Sequence, residues 1–183
     1  MDSAIKPAFR SKVTGQAVTV QLSKGDLVDP LKAVEMGQQG DVIVVDAGGD
    51  LNTSVCGGLM GGLAQNRGIR GMIVDGAGRD TDELEEIDWP IWTRAITPRG
   101  THTMFSERRE ELSINVPIAC GGVVVNPGDF IVADLMGVVV VPLESAEEVV
   151  RLAQEQADRE VATRAWVAQG KTVEDLLNEF GRI

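Results

Sequence analysis

Apolar residues fill several short stretches of this chain almost without a break and recur at helical spacing in others. Four runs, at 17–22, 41–48, 71–76 and 90–97, are apolar at most positions. Such runs read as strands buried on both faces rather than as half-exposed ones. A denser β stretch follows at 116–142, cut by Asn126-Pro127-Gly128 and by Gly137. Turn residues between closely spaced strands predict antiparallel connections there.

Two of these runs echo each other. "GDVIVVDAGG" at 40–49 and "GDFIVADLMG" at 128–137 share Gly-Asp-x-Ile-Val-x-Asp. Common Gly-Asp turns entering strands would produce this, and so would two similar strand units in one sheet or barrel.

Helical spacing is clearest at the C-terminus. Ser145 and Glu148 have the spacing of a capping box, and Val149, Ala153, Ala157 and Val161 then step by four along one face. Gly170 ends that helix, and Thr172 to Asp175 can cap a short final one through Leu176, Leu177 and Phe180. An arm with an apolar stripe and a charged remainder suits packing on a neighbouring subunit. Residues 52–68, "NTSVCGGLMGGLAQNRG", read as a loop feeding a helix that stops at Gly68.

Composition narrows the picture. The chain has 183 residues with 43% apolar, no Tyr and a net charge of −11 from 28 acids and 17 bases. One domain with an aliphatic core is expected, spanning 1–183 with a helical arm from about 145. The acidic balance disfavours a nucleic-acid partner, which normally meets a basic face. Cys56 and Cys120 have no metal-ligand spacing and no disulfide framework, as expected in a reducing cytoplasm. The N-terminus lacks the apolar run of a signal peptide, and "GVVVVPL" is too short to span a bilayer.

Two segments could carry chemistry. Gly57, Gly58, Gly61 and Gly62 crowd the front of a predicted helix, where each interior glycine costs about 1 kcal/mol relative to alanine. Either backbone packs closely on its surroundings, or a ligand reaches the amides. Free first-turn amides from Gly57 through Leu59 to Met60 could hold a carboxylate or phosphate. The stretch is neither a Walker loop nor a dinucleotide fingerprint.

The second segment is Arg79-Asp80, after a small-residue turn that follows a buried strand. Asp80 to Glu83 fits a capping box, and Arg79 could be a surface arginine. Alternatively, Arg79 forks onto a carboxylate while Asp80 holds a hard divalent cation. His102, the single histidine, reads as structural or exposed. Asp46 and Asp134 read as turn formers, Cys56 as an inert thiol, and Trp89, Trp92 and Trp166 as packing or interface groups.

Gly58, twenty intervening residues and then Arg79-Asp80, with "TPRG" and "GGVVVNPGDFIVAD" downstream, form a pattern that resembles the RraA-like family. That family includes 4-hydroxy-4-methyl-2-oxoglutarate aldolases and regulators of RNase E activity, and the resemblance covers roughly residues 10 to 165. It implies an α/β fold, a swivelling phosphohistidine-domain-like β/β/α sandwich, assembled as a homotrimer or a dimer of trimers. It also implies that Gly57, Gly58, Leu59, Met60 and Arg79 bind a pyruvyl group and that Asp80 holds Mg²⁺ or Mn²⁺. Glu160 is the candidate for an acid supplied by a neighbouring subunit.

The implied activity is metal-dependent cleavage of a small 2-oxo acid, by retro-aldol reaction or oxaloacetate decarboxylation. The alternative is a non-catalytic regulator that binds RNase E. The aldolases carry an acid at the position of Gly58, where it helps manage a water in proton transfer, whereas the RNase E regulators carry glycine.

Overall fold

The computed structural model describes residues 1–22, 26–101 and 113–181, so His102 lies outside the described residues. The chain forms two units, Met1–Leu143 and Glu144–Ile183.

The first unit begins with β1 (Lys6–Pro7), β2 (Val13–Gln21), α1 (Val28–Met36), β3 (Val42–Cys56) and α2 (Gly58–Asn66). It continues through β4 (Gly71–Gly78), α3 (Thr81–Glu86), β5 (Ile91–Thr93) and β6 (Ala95–Ile96). Four short strands follow: β7 (Ile118–Cys120), β8 (Val123–Val125), β9 (Phe130–Ala133) and β10 (Val138–Val141).

One sheet runs β1-β5-β4-β3-β2-β9-β10, with β6 added beside β4. Strands β2, β3, β4 and β5 are parallel neighbours, each joined to the next through a helix. The later strands are antiparallel: β7 pairs β8, and β9 pairs both β2 and β10. Both echoing runs are therefore in this sheet, as the two neighbours of β2, with opposite directions.

The unbroken apolar runs are explained by burial on both faces of β3 and β4. Ile43, Val45, Met72 and Val74 join one core with Ala33, Met60, Ala64 and Leu84 from the three helices. Val42, Val44 and Ile73 point the other way, into a second core with Ile118, Cys120 and Val125 of the β7–β8 hairpin. Alternate residues of a strand face opposite sides, so a sheet covered on both faces loses the polar alternation. The result is a layered α/β fold.

The sequence reading of local structure needs correction at several points. Residues 52–56 belong to β3 and are not a loop, because that strand runs for 15 residues with register shifts against β4. The sequence reading also passed over α1, whose helix spans a proline at Pro30.

Buried polar groups were equally silent in the sequence. Asp75 on β4 accepts hydrogen bonds from Arg94 and from the Gly121 amide. The Trp89 indole donates to Ile69 O at 2.7 Å and the Trp92 indole to Asp134 O at 2.9 Å, so both are packing groups.

The second unit holds α4 (Ala146–Ala168) and α5 (Val173–Phe180). Thr172 and Asp175 form the expected capping box at α5. Ser145 does not cap α4: it ends a 3-10 turn with φ −101° and ψ −1°, and its side chain makes no cap bond. Glu148 instead pairs with Arg151 at 2.6 Å. Trp166 meets Phe180 edge-on at 5.4 Å and packs α4 against α5. No residue of α4 is buried in the single chain.

Candidate functional site

Parallel pairing of β3 with β4 creates the site. Cys56, the last residue of β3, is the register partner of Gly78, the last residue of β4, and the Arg79 amide donates to Cys56 O at 2.9 Å. The residues that follow, Gly57 and Arg79, therefore leave the sheet side by side. This is the carboxyl edge of the parallel strands, where open α/β sheets place ligands.

Long polar side chains approach the glycines at this edge closely. Gly57 has an extended backbone that any residue could adopt, yet a Cβ there would lie 2.8 Å from Arg79 Nε and would also strike the Asp80 carboxylate. A Cβ on Gly100 would lie 2.6 Å from Arg79 Nη1. The Arg79 side chain thus approaches two glycines, one from "CGGLM" and one from "TPRG".

The N-cap Gly57 and the three glycines of α2 divide by cause. Gly57 and Gly58 admit polar side chains from across the site, Gly61 packs under Leu84 and Trp89, and Gly62 faces open space.

Asp80 precedes α3 with φ 51° and ψ 43°, the left-handed region, and makes no side-chain bond to its own helix. The capping box expected between Asp80 and Glu83 is not formed. Oδ2 of Asp80 instead accepts from the Gly58 amide at 3.2 Å and lies 3.3 Å from Arg79 Nε. A non-glycine residue held left-handed at a candidate site is local strain that the surroundings must impose.

Glu83, freed from that box, turns to Gly58. A Cβ on Gly58 would lie 2.9 Å from Glu83 Cδ and would collide with its carboxylate oxygen. Glu83 is the residue that the sequence reading assigned only to capping. Its spacing of three from Asp80 was the available signal, and it serves a cap and a site equally well.

Beside this edge lies a pocket of 280 Å³ that Gly57, Leu59, Met60 and Arg79 help to line. The first-turn amides of Leu59 and Met60 have no intrahelical acceptor. Cys56 lies at the pocket but is buried, and burial, with the Asp80 charge adding to it, pushes its thiol up to about 12. The inert-thiol reading holds.

Among the described residues, no three His, Cys, Asp or Glu side chains gather into a metal site. Two carboxylates, of Asp80 and Glu83, nevertheless reach adjacent glycines, and the hydrogen bond of Asp80 uses Oδ2, leaving Oδ1 for a further partner. At a rim where Asp80 is 38% exposed, that donor set suits a hard divalent cation that keeps most of its waters.

The other candidates sort plainly. Asp46 and Asp134 each accept from an amide two residues on, at 2.8 Å, as turn formers do. Glu160 belongs to the C-terminal unit, where donors from Gln156 and then Arg164 hold its carboxyl below the usual range. No helix among the described residues is long and apolar enough to cross a membrane.

Residues 1–140 match the family described as RraA-like, Aldolase/RraA. The chain belongs to the RraA-like family. It is 42% identical to a Halalkalibacterium halodurans protein over 90% of this chain and 77% of that one. That relative carries the name 4-hydroxy-4-methyl-2-oxoglutarate aldolase in provisional form. A Thermus thermophilus protein with the same name, unqualified, is 33% identical over 73% of this chain and 77% of its own length.

The fold is likewise similar to that of solved family members. The RNA-processing inhibitor RraA from Thermus superposes with a TM-score of 0.68 at 31% identity, covering 78% of this chain and 84% of that one. Streptomyces coelicolor RraAS2, described as an unusual member of the RNase ES inhibitor RraA family, gives 0.73 at 35% identity over 85% and 78%.

Proposed function

We propose that this RraA-like protein is a divalent-cation-dependent carbon–carbon lyase acting on pyruvyl substrates. The observation that carries the reading is the convergence of Arg79, Asp80 and Glu83 on Gly57 and Gly58 at the start of α2. The aldolase names of its relatives agree with it.

In this reading, the carboxylate of a 2-oxo acid lies on the amides of Leu59 and Met60 and on the Arg79 guanidinium. Planar bidentate donation suits a carboxylate, and the helix N-terminus favours its charge. Asp80 would hold Mg²⁺ or Mn²⁺, largely with waters. When bound, the cation supplies Lewis-acid stabilisation of charge at the keto oxygen.

Cleavage breaks the C3–C4 bond and moves its electron pair toward C2, leaving an enolate of pyruvate. Arg79 adds fixed positive charge where the enolate oxygen develops. For aldol substrates, a proton must also leave the C4 hydroxyl, and in this reading Glu83, close to Gly58, takes it directly or through a water. C3 is then protonated to give pyruvate and a carbonyl product. Decarboxylation of oxaloacetate releases CO₂ through the same enolate and needs no hydroxyl proton. Glu160 enters only from a neighbouring copy, in the trimer that the exposed apolar positions of α4 support; sedimentation velocity tests that assembly.

Pyruvate release from 4-hydroxy-4-methyl-2-oxoglutarate and from oxaloacetate, with Mg²⁺ and then with chelator, tests the reading. Metal-dependent release from at least one is expected, and release from neither would sink it. The inhibitor names of the structural relatives, together with glycine at 58 and the net charge of −11, favour a second reading as an RNase E-binding regulator. Retention of the protein on immobilised RNase E at physiological salt tests it; passage straight through would count against it.

A further inference from the structure

The chain between β1 and β2 runs along the amino edge of the parallel strands, at the opposite end of the sheet from Gly57 and Arg79. Ala8 donates to Ile91 O of β5 at 2.9 Å, and Val13 opens β2, with β4 and β3 lying between. Arg70 and Pro90, the residues just before β4 and β5, stand at the same edge. A second pocket, of 490 Å³, opens there, lined by residues 10–14 together with Arg70, Asp88 and Pro90.

Its charge is opposite in sign to that of the protein. Arg10, Lys12 and Arg70 are set against one carboxylate, Asp88, which leaves +2 at this pocket in a chain of net charge −11. All four side chains are exposed, and none forms an ion pair with a described residue. Arg70 is held in place, because its Nη1 donates to Thr14 O at 3.0 Å, and the other guanidinium donors are left for a further acceptor. The Ser11 hydroxyl is buried with no hydrogen-bond partner among the described residues. Such a group is costly to leave unpaired, and turning it toward the pocket breaks no existing bond.

From this arrangement we infer that the amino-edge pocket binds the phosphate monoester of a small polyol. A phosphate monoester carries a charge of about −1.5 to −2 at pH 7, which matches the +2 of the lining, whereas a lone carboxylate balances only half of it. The Arg70 fork suits two phosphate oxygens, and Arg10 and Lys12 add donors from the strap between β1 and β2. Asp88 selects among phosphates. Its carboxylate repels a bare anion and accepts hydrogen bonds from hydroxyl groups next to the ester, so the pocket favours a hydroxylated ester over free phosphate.

Isothermal titration of the full chain in phosphate-free buffer with three ligands tests this: glycerol 3-phosphate, propyl phosphate and inorganic phosphate. Glycerol 3-phosphate is expected to bind at least tenfold more tightly than either of the others. Lys12→Glu, at an exposed position, should weaken it at least tenfold while the circular dichroism spectrum stays native. Asp88→Asn suits the backbone, because Asp88 has φ 51° and asparagine tolerates the left-handed region. This variant should bind inorganic phosphate more tightly and narrow the preference for the polyol ester to below threefold. Absence of glycerol 3-phosphate binding would overturn the inference, as would equal affinity for propyl phosphate. Binding that survives Lys12→Glu and is lost in Arg79→Lys would place the anion at the carboxyl edge and overturn it too.

Discussion

The carboxylate of Glu83 occupies the space that a side chain on Gly58 would need. An acid is thus present at that point of the site, supplied by α3 in place of α2. If it serves as the proton acceptor, Glu83→Ala should lower aldol cleavage by about 10²-fold or more, the usual range for a positioned acid or base. Oxaloacetate decarboxylation should fall less, because no hydroxyl proton is removed. Adding Gly58→Asp to Glu83→Ala should restore part of the aldol rate, as the new side chain then has room. Steady-state rates on both substrates for the two variants check this.

Arg79→Lys keeps the positive charge and loses the planar fork. The variant should lose one charged hydrogen bond to the substrate, or roughly 10- to 100-fold in kcat/KM. An unaltered kcat/KM would contradict the carboxylate clamp.

Gly100→Ala tests the placement of the Arg79 guanidinium. Its new Cβ would lie 2.6 Å from Nη1, so the guanidinium must shift. Small-to-large changes in tight sites cost about 1–3 kcal/mol, and here the flexible Arg79 takes up the movement. We expect a near-native circular dichroism spectrum and a KM for the 2-oxo acid raised roughly tenfold.

Both thiols are held protonated by the fold. Burial, with nearby carboxylates adding to it, pushes Cys56 and Cys120 up to about 12 from 9.0. At pH 8, iodoacetamide should leave the native protein unmodified and label two thiols per chain once urea unfolds it. A folded-state value above the unfolded one means that the native state binds more protons between them. The thiol contribution to stability is therefore complete below pH 9 and declines as pH rises toward 12, which urea midpoints across that window would reveal.

Much of the fold was legible because burial on both faces leaves a mark in the sequence. The apolar runs of β3 and β4 read as strands buried on both faces, and the turn residues after 116 announced antiparallel hairpins. Residues 52–56 escaped because bulges interrupt the pairing that extends β3, and short-range patterning carries no record of such a shift. Ser145 misled for a related reason: cap chemistry was present, but a preceding 3-10 turn fixed its backbone in the wrong region.

The sequence by itself singled out the crowded glycines and the spaced Arg-Asp pair as candidates, since these are local features that survive without coordinates. Only the tertiary structure decided how they meet. The register of β3 against β4 sets Gly57 beside Arg79, and the left-handed backbone of Asp80 turns its carboxylate from its own helix to the amide of another. It also decided the role of Glu83, because the same spacing that makes a capping box places a side chain across to Gly58. Spacing is a one-dimensional property, and which of two donors a carboxylate reaches depends on a distance that only folding sets.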